Sequence, residues 1–174
     1  MNYSIVIGTN RMDSNSAKIS VYYQQIFKEK KIDAELIDLK TLPQDFLFSD
    51  MFGKRTEQFQ EFQNQINKTN KFIFVIPEYN GSFPGILKSF IDSCEFPNSF
   101  AGKKACLVGL SAGQFGNVRG LEHFTGVANY IKMNVCHNKV YLPAIHKDIK
   151  EDGILNNPNL VNLINQQIEE FIAF

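Results

Sequence analysis

The chain has little cysteine and no surplus of either charge. Its three cysteines, Cys94, Cys106 and Cys136, make neither a C-x-x-C motif nor a metal-ligand pair. An odd, scattered count fits a reducing compartment. Cys106 sits in an apolar run and reads as a buried thiol. Lys and Arg total 18, as do Asp and Glu, so the formal charge is zero. No basic excess points to nucleic acid, and no charged tail offers a docking arm. No apolar run reaches bilayer-spanning length. The first residues run straight into a strand pattern, which leaves no room for a targeting peptide. The expectation is a cytoplasmic protein with neither a nucleic-acid nor a membrane partner.

Several catalytic signatures are missing too. No G-x-G-x-x-G follows Ile7, which disfavours a dinucleotide-binding Rossmann site, and no G-x-x-x-x-G-K-[ST] occurs, which disfavours a P-loop triphosphatase. There is no G-x-S-x-G nucleophile elbow. His123, His137 and His146 are far apart and lack carboxylates at ligand spacing, so neither a metal site nor a His-based triad is indicated. Thr9 and Asn10 follow the first strand where a receiver domain would carry acidic residues.

What is present is an alternation of strands and helices. The 174 residues, 44% of them apolar, suit one domain spanning 1–174. Unbroken apolar runs predict strands at Tyr3–Gly8, Ala34–Leu39, Phe72–Ile76, Ala105–Leu110 and Val135–Leu142. Helical spacing starts at Ala17. It recurs after a Thr56 cap through Asn67, over Gly85–Ser93, over Leu121–Tyr130 and over Asn159–Phe174. Gln44–Arg55 is irregular. Its Phe46, Leu47, Phe48, Met51 and Phe52 suit either a loop packed on the domain or a lid or subunit contact. Such a rhythm implies an α/β fold. Its expected form is a flavodoxin-like three-layer sandwich, with a five-stranded parallel sheet of order 2-1-3-4-5 and helices on both faces.

In open parallel sheets ligands sit at the carboxyl ends of the strands, and three such crests are polar. The first, Thr9–Ser16, suits a phosphate: a helix amino terminus offers free N–H groups. Thr9, Ser14 and Ser16 add hydroxyls, Asn15 an amide and Arg11 a charge, although Ser and Asn there also suit plain helix capping. The second, Pro77–Gly81, suits a flat polar-edged ring. Asn80-Gly81 can turn sharply, and Tyr79 could pack along the ring or be merely half-buried. The third runs from Ser111 through Ala112 and Gly113 to Asn117, and its amides could meet a carbonyl edge. Lys88 and Asp92, four apart on a helix, read as a solvated pair.

These crests resemble the NADPH-dependent FMN reductase family. Gly8-Thr9-Asn10-Arg11-Met12-Asp13-Ser14-Asn15-Ser16 matches its first loop, G-S-x-R-x-x-S-x-N, with Thr9 and Ser16 as polar replacements. Pro77 through Asp92 matches its central signature P-E-Y-N-x-S-x-P-G-x-L-K-N-A-I-D-W, with Ser93 where Trp is usual. Ser111–Arg119 resembles its glycine-rich segment more loosely. The resemblance implies FMN as cofactor, with Thr9, Arg11, Ser14, Asn15 and Ser16 at its phosphate. Pro77, Glu78, Tyr79, Asn80 and Gly81 would line the ribityl chain and ring edge, and Ser111, Ala112 and Gly113 the pyrimidine end. NADPH or NADH would supply hydride, and a quinone, azo compound, metal oxyanion or similar small molecule would accept it. No side chain need act as acid or base. The family's usual state is a homodimer or homotetramer with the flavin near the junction, where Glu78, Met51 and Phe52 could contribute. The alternative is a flavodoxin-like electron carrier without nicotinamide-dependent turnover; a non-catalytic scaffold is a further rival.

Overall fold

The computed structural model describes every residue, Met1–Phe174. One parallel sheet contains β1 (Tyr3–Ile7), β2 (Ala34–Asp38), β3 (Lys71–Pro77), β4 (Lys104–Leu110), β5 (Asn134–Val135) and β6 (Val140–Leu142). Their order is β2-β1-β3-β4-β5, with β6 also paired to β4. This is the order read from the sequence. All five residues of β1 are buried, as are six of seven in β3 and in β4. Their side chains alternate between two cores: Val6, Phe72, Phe74 and Ile76 enter one, Ile5, Ile73 and Val75 the other. A sheet covered on both faces has no use for polar alternation, which is why these runs are continuous.

The first helix, α1 (Asn15–Glu29), and the last, α6 (Pro158–Ala173), cover one face through Ile19, Tyr23, Phe27, Ile164 and Phe171. The other face is covered by α3 (Glu57–Lys68), α4 (Gly85–Ser93) and α5 (Val118–Tyr130), through Phe59, Phe90 and Phe124. Phe124 meets Phe74 with ring centroids 4.9 Å apart. Fully burying each such side chain is worth about 1.5–3 kcal/mol. No helix is long and apolar enough to cross a membrane.

The expected single strand Val135–Leu142 is in fact broken at Cys136–Lys139. The reason lies on α6. Fully buried Gln167 donates its amide to the Leu107 carbonyl at 3.0 Å and to the Asn138 carbonyl at 2.9 Å, and accepts from the Tyr23 hydroxyl at 2.6 Å. A side chain thus satisfies the carbonyl that an unbroken edge strand would have paired.

Two helix starts also differ from the sequence reading. Asn15 and Ser16 lie in the first turn of α1 rather than in a loop, and α5 begins at Val118, ahead of Leu121. Within Gln44–Arg55, α2 (Phe46–Ser49) buries Phe46 and leaves Leu47, Phe48 and Phe52 exposed. The segment is pinned by Asp50, whose buried carboxylate accepts from the Ser49 hydroxyl at 2.6 Å and from the Thr56 N–H. Burial raises the Asp50 pKa, but these bonds outweigh it and hold the carboxyl below its ordinary range.

Two glycines set how closely the chain approaches itself at the strand ends. A Cβ on Gly8 would lie 2.8 Å from the Val75 carbonyl oxygen, and one on Gly109 would collide with the Gly116 carbonyl. Both obstacles are backbone and cannot swing away. Gly109→Ala should therefore cost about 2–3 kcal/mol, seen as a lower urea midpoint at unchanged slope. A wild-type midpoint would show that the loop after β4 moves freely.

Candidate active site

The three crests meet at one edge of the sheet. Gly8 continues β1 by donating its N–H to the Val75 carbonyl at 2.9 Å, and Thr9 N–H turns back onto the Ile7 carbonyl at 2.8 Å. The Thr9 hydroxyl accepts from Arg11 N–H at 3.2 Å and shares a 2.8 Å hydrogen bond with the Tyr79 hydroxyl. It therefore ties the first crest to the second. Ser14 Oγ caps α1 by accepting from Ala17 N–H at 3.1 Å, while the first-turn amides of Asn15 and Ser16 have no intrahelical carbonyl to reach. Ser16 Oγ is buried without any hydrogen-bond partner. Arg11 is exposed and belongs to none of the protein's ion pairs.

At the second crest Glu78 N–H donates to the Leu110 carbonyl at 2.8 Å, joining it to the third. Tyr79 and Ser82 exchange backbone hydrogen bonds at 2.9 and 3.1 Å, and Asn80 and Gly81 have φ of 51° and 76°. Positive φ at both central positions makes a type I′ turn, for which Asn-Gly is the favoured pair. At the third crest Ser111 Oγ donates to the Gly113 carbonyl at 2.9 Å and accepts from Gly116 N–H at 3.0 Å. Its hydroxyl shapes the loop from within. Buried Asn117 donates its side-chain amide to the Ile76 carbonyl at 2.9 Å, fastening this loop to the end of β3.

The loops border an open cleft of about 210 Å³. Thr9, Arg11, Ser14, Asn15 and Ser16 line it, with Pro77, Glu78, Tyr79, Ser111 and Ala112. Asn80, Gly81 and Gly113, also expected at the ligand, stand outside this lining. Asp13, Leu110 and Ile145 complete it and were missed. Asp13 occupies a position that the first-loop motif leaves open. Leu110 reads as mere strand end. Ile145 arrives from beyond β6: its N–H donates to the Ser111 carbonyl at 3.2 Å, after Ala144, at φ 45°, has bonded the Gly113 carbonyl at 2.8 Å. An isolated Ile in a polar turn is the one signal that could have found it. No cysteine lines the cleft, and burial pushes the Cys94 and Cys106 thiols above their ordinary range.

An orphaned buried hydroxyl, two uncommitted amides and an unpaired guanidinium around one hollow suit an anion. The NADPH-dependent FMN reductase family model matches residues 1–147. The chain belongs to that family. An NAD(P)H-dependent FMN reductase of Pseudomonas aeruginosa is 29% identical over 78% of this chain and 74% of its own length. A 2-hydroxy-1,4-benzoquinone reductase from a Burkholderia species is 27% identical over 91% of this chain and 85% of its own. Among solved structures, the flavoenzyme FerB, an NAD(P)H:acceptor oxidoreductase from Paracoccus denitrificans, superposes with a TM-score of 0.81. That match covers 99% of this chain and 95% of FerB at 21% identity, a likeness of fold.

As a member of the FMN reductase family the chain is an oxidoreductase enzyme, with FMN as cofactor and a reduced nicotinamide nucleotide as co-substrate. The residues fit that cofactor. The buried Ser16 hydroxyl has no partner within the protein, and a phosphate oxygen could accept from it. The donors of the first crest line the cleft, where they would meet the phosphate end of FMN. Ser16→Ala should therefore weaken FMN binding about tenfold, the scale of one hydrogen bond to a charged group. Fluorescence titration reads the change; unchanged affinity would remove Ser16 from the phosphate seat.

Proposed function

We propose that this enzyme holds FMN across the three crests and passes hydride from NADPH or NADH to a quinone, azo compound, metal oxyanion or similar small acceptor. The carrying observation is the partnerless Ser16 hydroxyl beside unpaired Arg11, a phosphate seat with nothing of the protein's own in it. FMN, once bound, would supply the two-electron redox chemistry. The chain's part is placement. Arg11, Ser14, Asn15 and Ser16 would grip the phosphate, with Thr9 holding the loop to Tyr79. Pro77, Glu78 and Tyr79 would run along the ribityl chain, and the Asn80-Gly81 turn would meet the ring edge. The N–H groups of Ala112 and Gly113, which have no acceptor within the protein, would donate to the pyrimidine end, an electrostatic role.

The rival, an electron carrier, is disfavoured by the zero net charge, since carriers that dock on larger proteins gain their encounter rate from a charged face. Anaerobic mixing with each nucleotide separates the two: the yellow protein should bleach within the dead time of hand mixing, whereas a carrier would stay oxidised. Arg11→Ala should raise the Kd for FMN at least about tenfold, the loss expected for charged hydrogen bonds. Unchanged affinity would remove Arg11 from the phosphate seat.

The reading includes a homodimer or homotetramer. Its support is a groove between α4 and α5, lined by Ile91, Val127 and Ile131 and flanked by the exposed rings of Phe96 and Tyr130. The groove carries both members of the 2.7 Å Lys88–Asp92 pair, and opposite charges on one patch suit a two-fold, self-complementary contact. Light scattering should give at least twice the chain mass of 19.9 kDa; a monomer at micromolar concentration would refute it.

A further inference from the structure

Of the 18 Lys and Arg residues only three are arginine: Arg11, Arg55 and Arg119. Arg55 is structural, donating to the Ser93 carbonyl at 3.1 Å and facing Glu95 at 4.0 Å. The other two are exposed and join no ion pair. Arg11 lines the cleft. Arg119 stands in the first turn of α5, its Nη1 only 3.6 Å from where a Cβ on Gly81 would lie. The next turn of α5 holds the same hairpin, with His123 Nδ1 and Ser82 Oγ at 3.0 Å. An unpaired guanidinium therefore rests against the hairpin whose Tyr79 walls the cleft, and it is not among the residues that line the phosphate seat.

Arginine is the side chain whose planar fork matches phosphate oxygens. A reduced nicotinamide nucleotide must bring its ring against the flavin while its diphosphate remains outside a cleft already filled by the cofactor's own phosphate end. Two negative diphosphate oxygens then need a cation at the rim. From this placement, and resting on the reading of the preceding subsection, we infer that Arg119 docks the diphosphate bridge of the nicotinamide nucleotide. Both NADH and NADPH carry that bridge, so Arg119 serves both and does not distinguish them.

The test compares wild type with Arg119→Gln and Arg119→Lys, all loaded with FMN, using three reductants: NADH, NADPH and a synthetic N-alkyl dihydronicotinamide that carries no ribose or phosphate. In Arg119→Gln the KM for NADH and for NADPH should each rise about tenfold, the scale of a lost charged hydrogen bond, while kcat changes less than twofold. The rate with the phosphate-free donor should hold, and Arg119→Lys should restore part of the loss. Equal slowing with all three donors would overturn the inference and make Arg119 a prop for the hairpin. A loss confined to NADPH would overturn it in favour of the ribose phosphate, and no loss at all would end it. Wild-type protein that binds no FMN, or is not reduced by either nucleotide, would instead defeat the underlying functional reading.

Discussion

Close backbone approach at the carboxyl ends of β1, β3 and β4 is the constraint on which the rest depends. Where Gly8 passes Val75 and Gly109 passes Gly116 there is no room for a Cβ. That closeness lets the edge be laced by main-chain bonds: Gly8 to Val75, Glu78 to Leu110, Ser111 to Leu142. Each bond adds only about 1 kcal/mol net, yet together they fix the crests relative to one another. Asn117 completes the lacing from a side chain, in a left-handed conformation at φ 68°. Asp13, Asn80 and Ala144 also hold positive φ around the same edge. Such conformations cost of order 1–3 kcal/mol each, persist where the surroundings over-determine them, and cluster at functional sites.

The strands that carry the site were legible because their signal is local. The runs at β1, β3 and β4 are apolar without alternation, and their burial on both faces is the direct cause. The Asn80-Gly81 turn was legible for the same reason, since the residue pair itself encodes the φ angles. The broken edge strand was not. Its break is set by Gln167, in contact with Leu107 and Tyr23 across 60 and 144 residues of sequence, and nothing in Cys136–Lys139 announces it. Ile145 was hidden likewise, because its place in the cleft follows from bonds to Ser111 and not from its neighbours. Ser111 shows the opposite error. It lines the cleft, but its hydroxyl is already engaged within the fold, with Gly113 and Gly116.

Most of the polar groups that the fold leaves uncommitted along the cleft's backbone are donors. Thr9 and Ser111 are committed internally. Ser16 Oγ, the first-turn amides of α1, Arg11 and the N–H groups of Ala112 and Gly113 are not. All of these can donate. A site rich in uncommitted donors favours ligands rich in oxygen and negative charge, as phosphate would be at one end and a carbonyl-edged heterocycle at the other. Exposed Glu78 and Asp13 stand on the same rim, so the field there is mixed, and the selection rests on directed hydrogen bonds more than on net charge.

The openness of the cleft then bears on where chemistry could happen. A cleft of about 210 Å³ that opens to solvent would leave part of a bound FMN accessible from outside. A redox centre so placed would need no channel, because donor and acceptor could reach it from solvent. Such a surface discriminates weakly by shape, since it encloses little of either partner. On the proposed role of Arg119, selectivity for the donor would come from its charged handle at the rim. On that reading the chain's directed hydrogen bonds would go to the cofactor's phosphate, and the choice of acceptor would be set elsewhere than by the fold, since one frame can carry many acceptor chemistries.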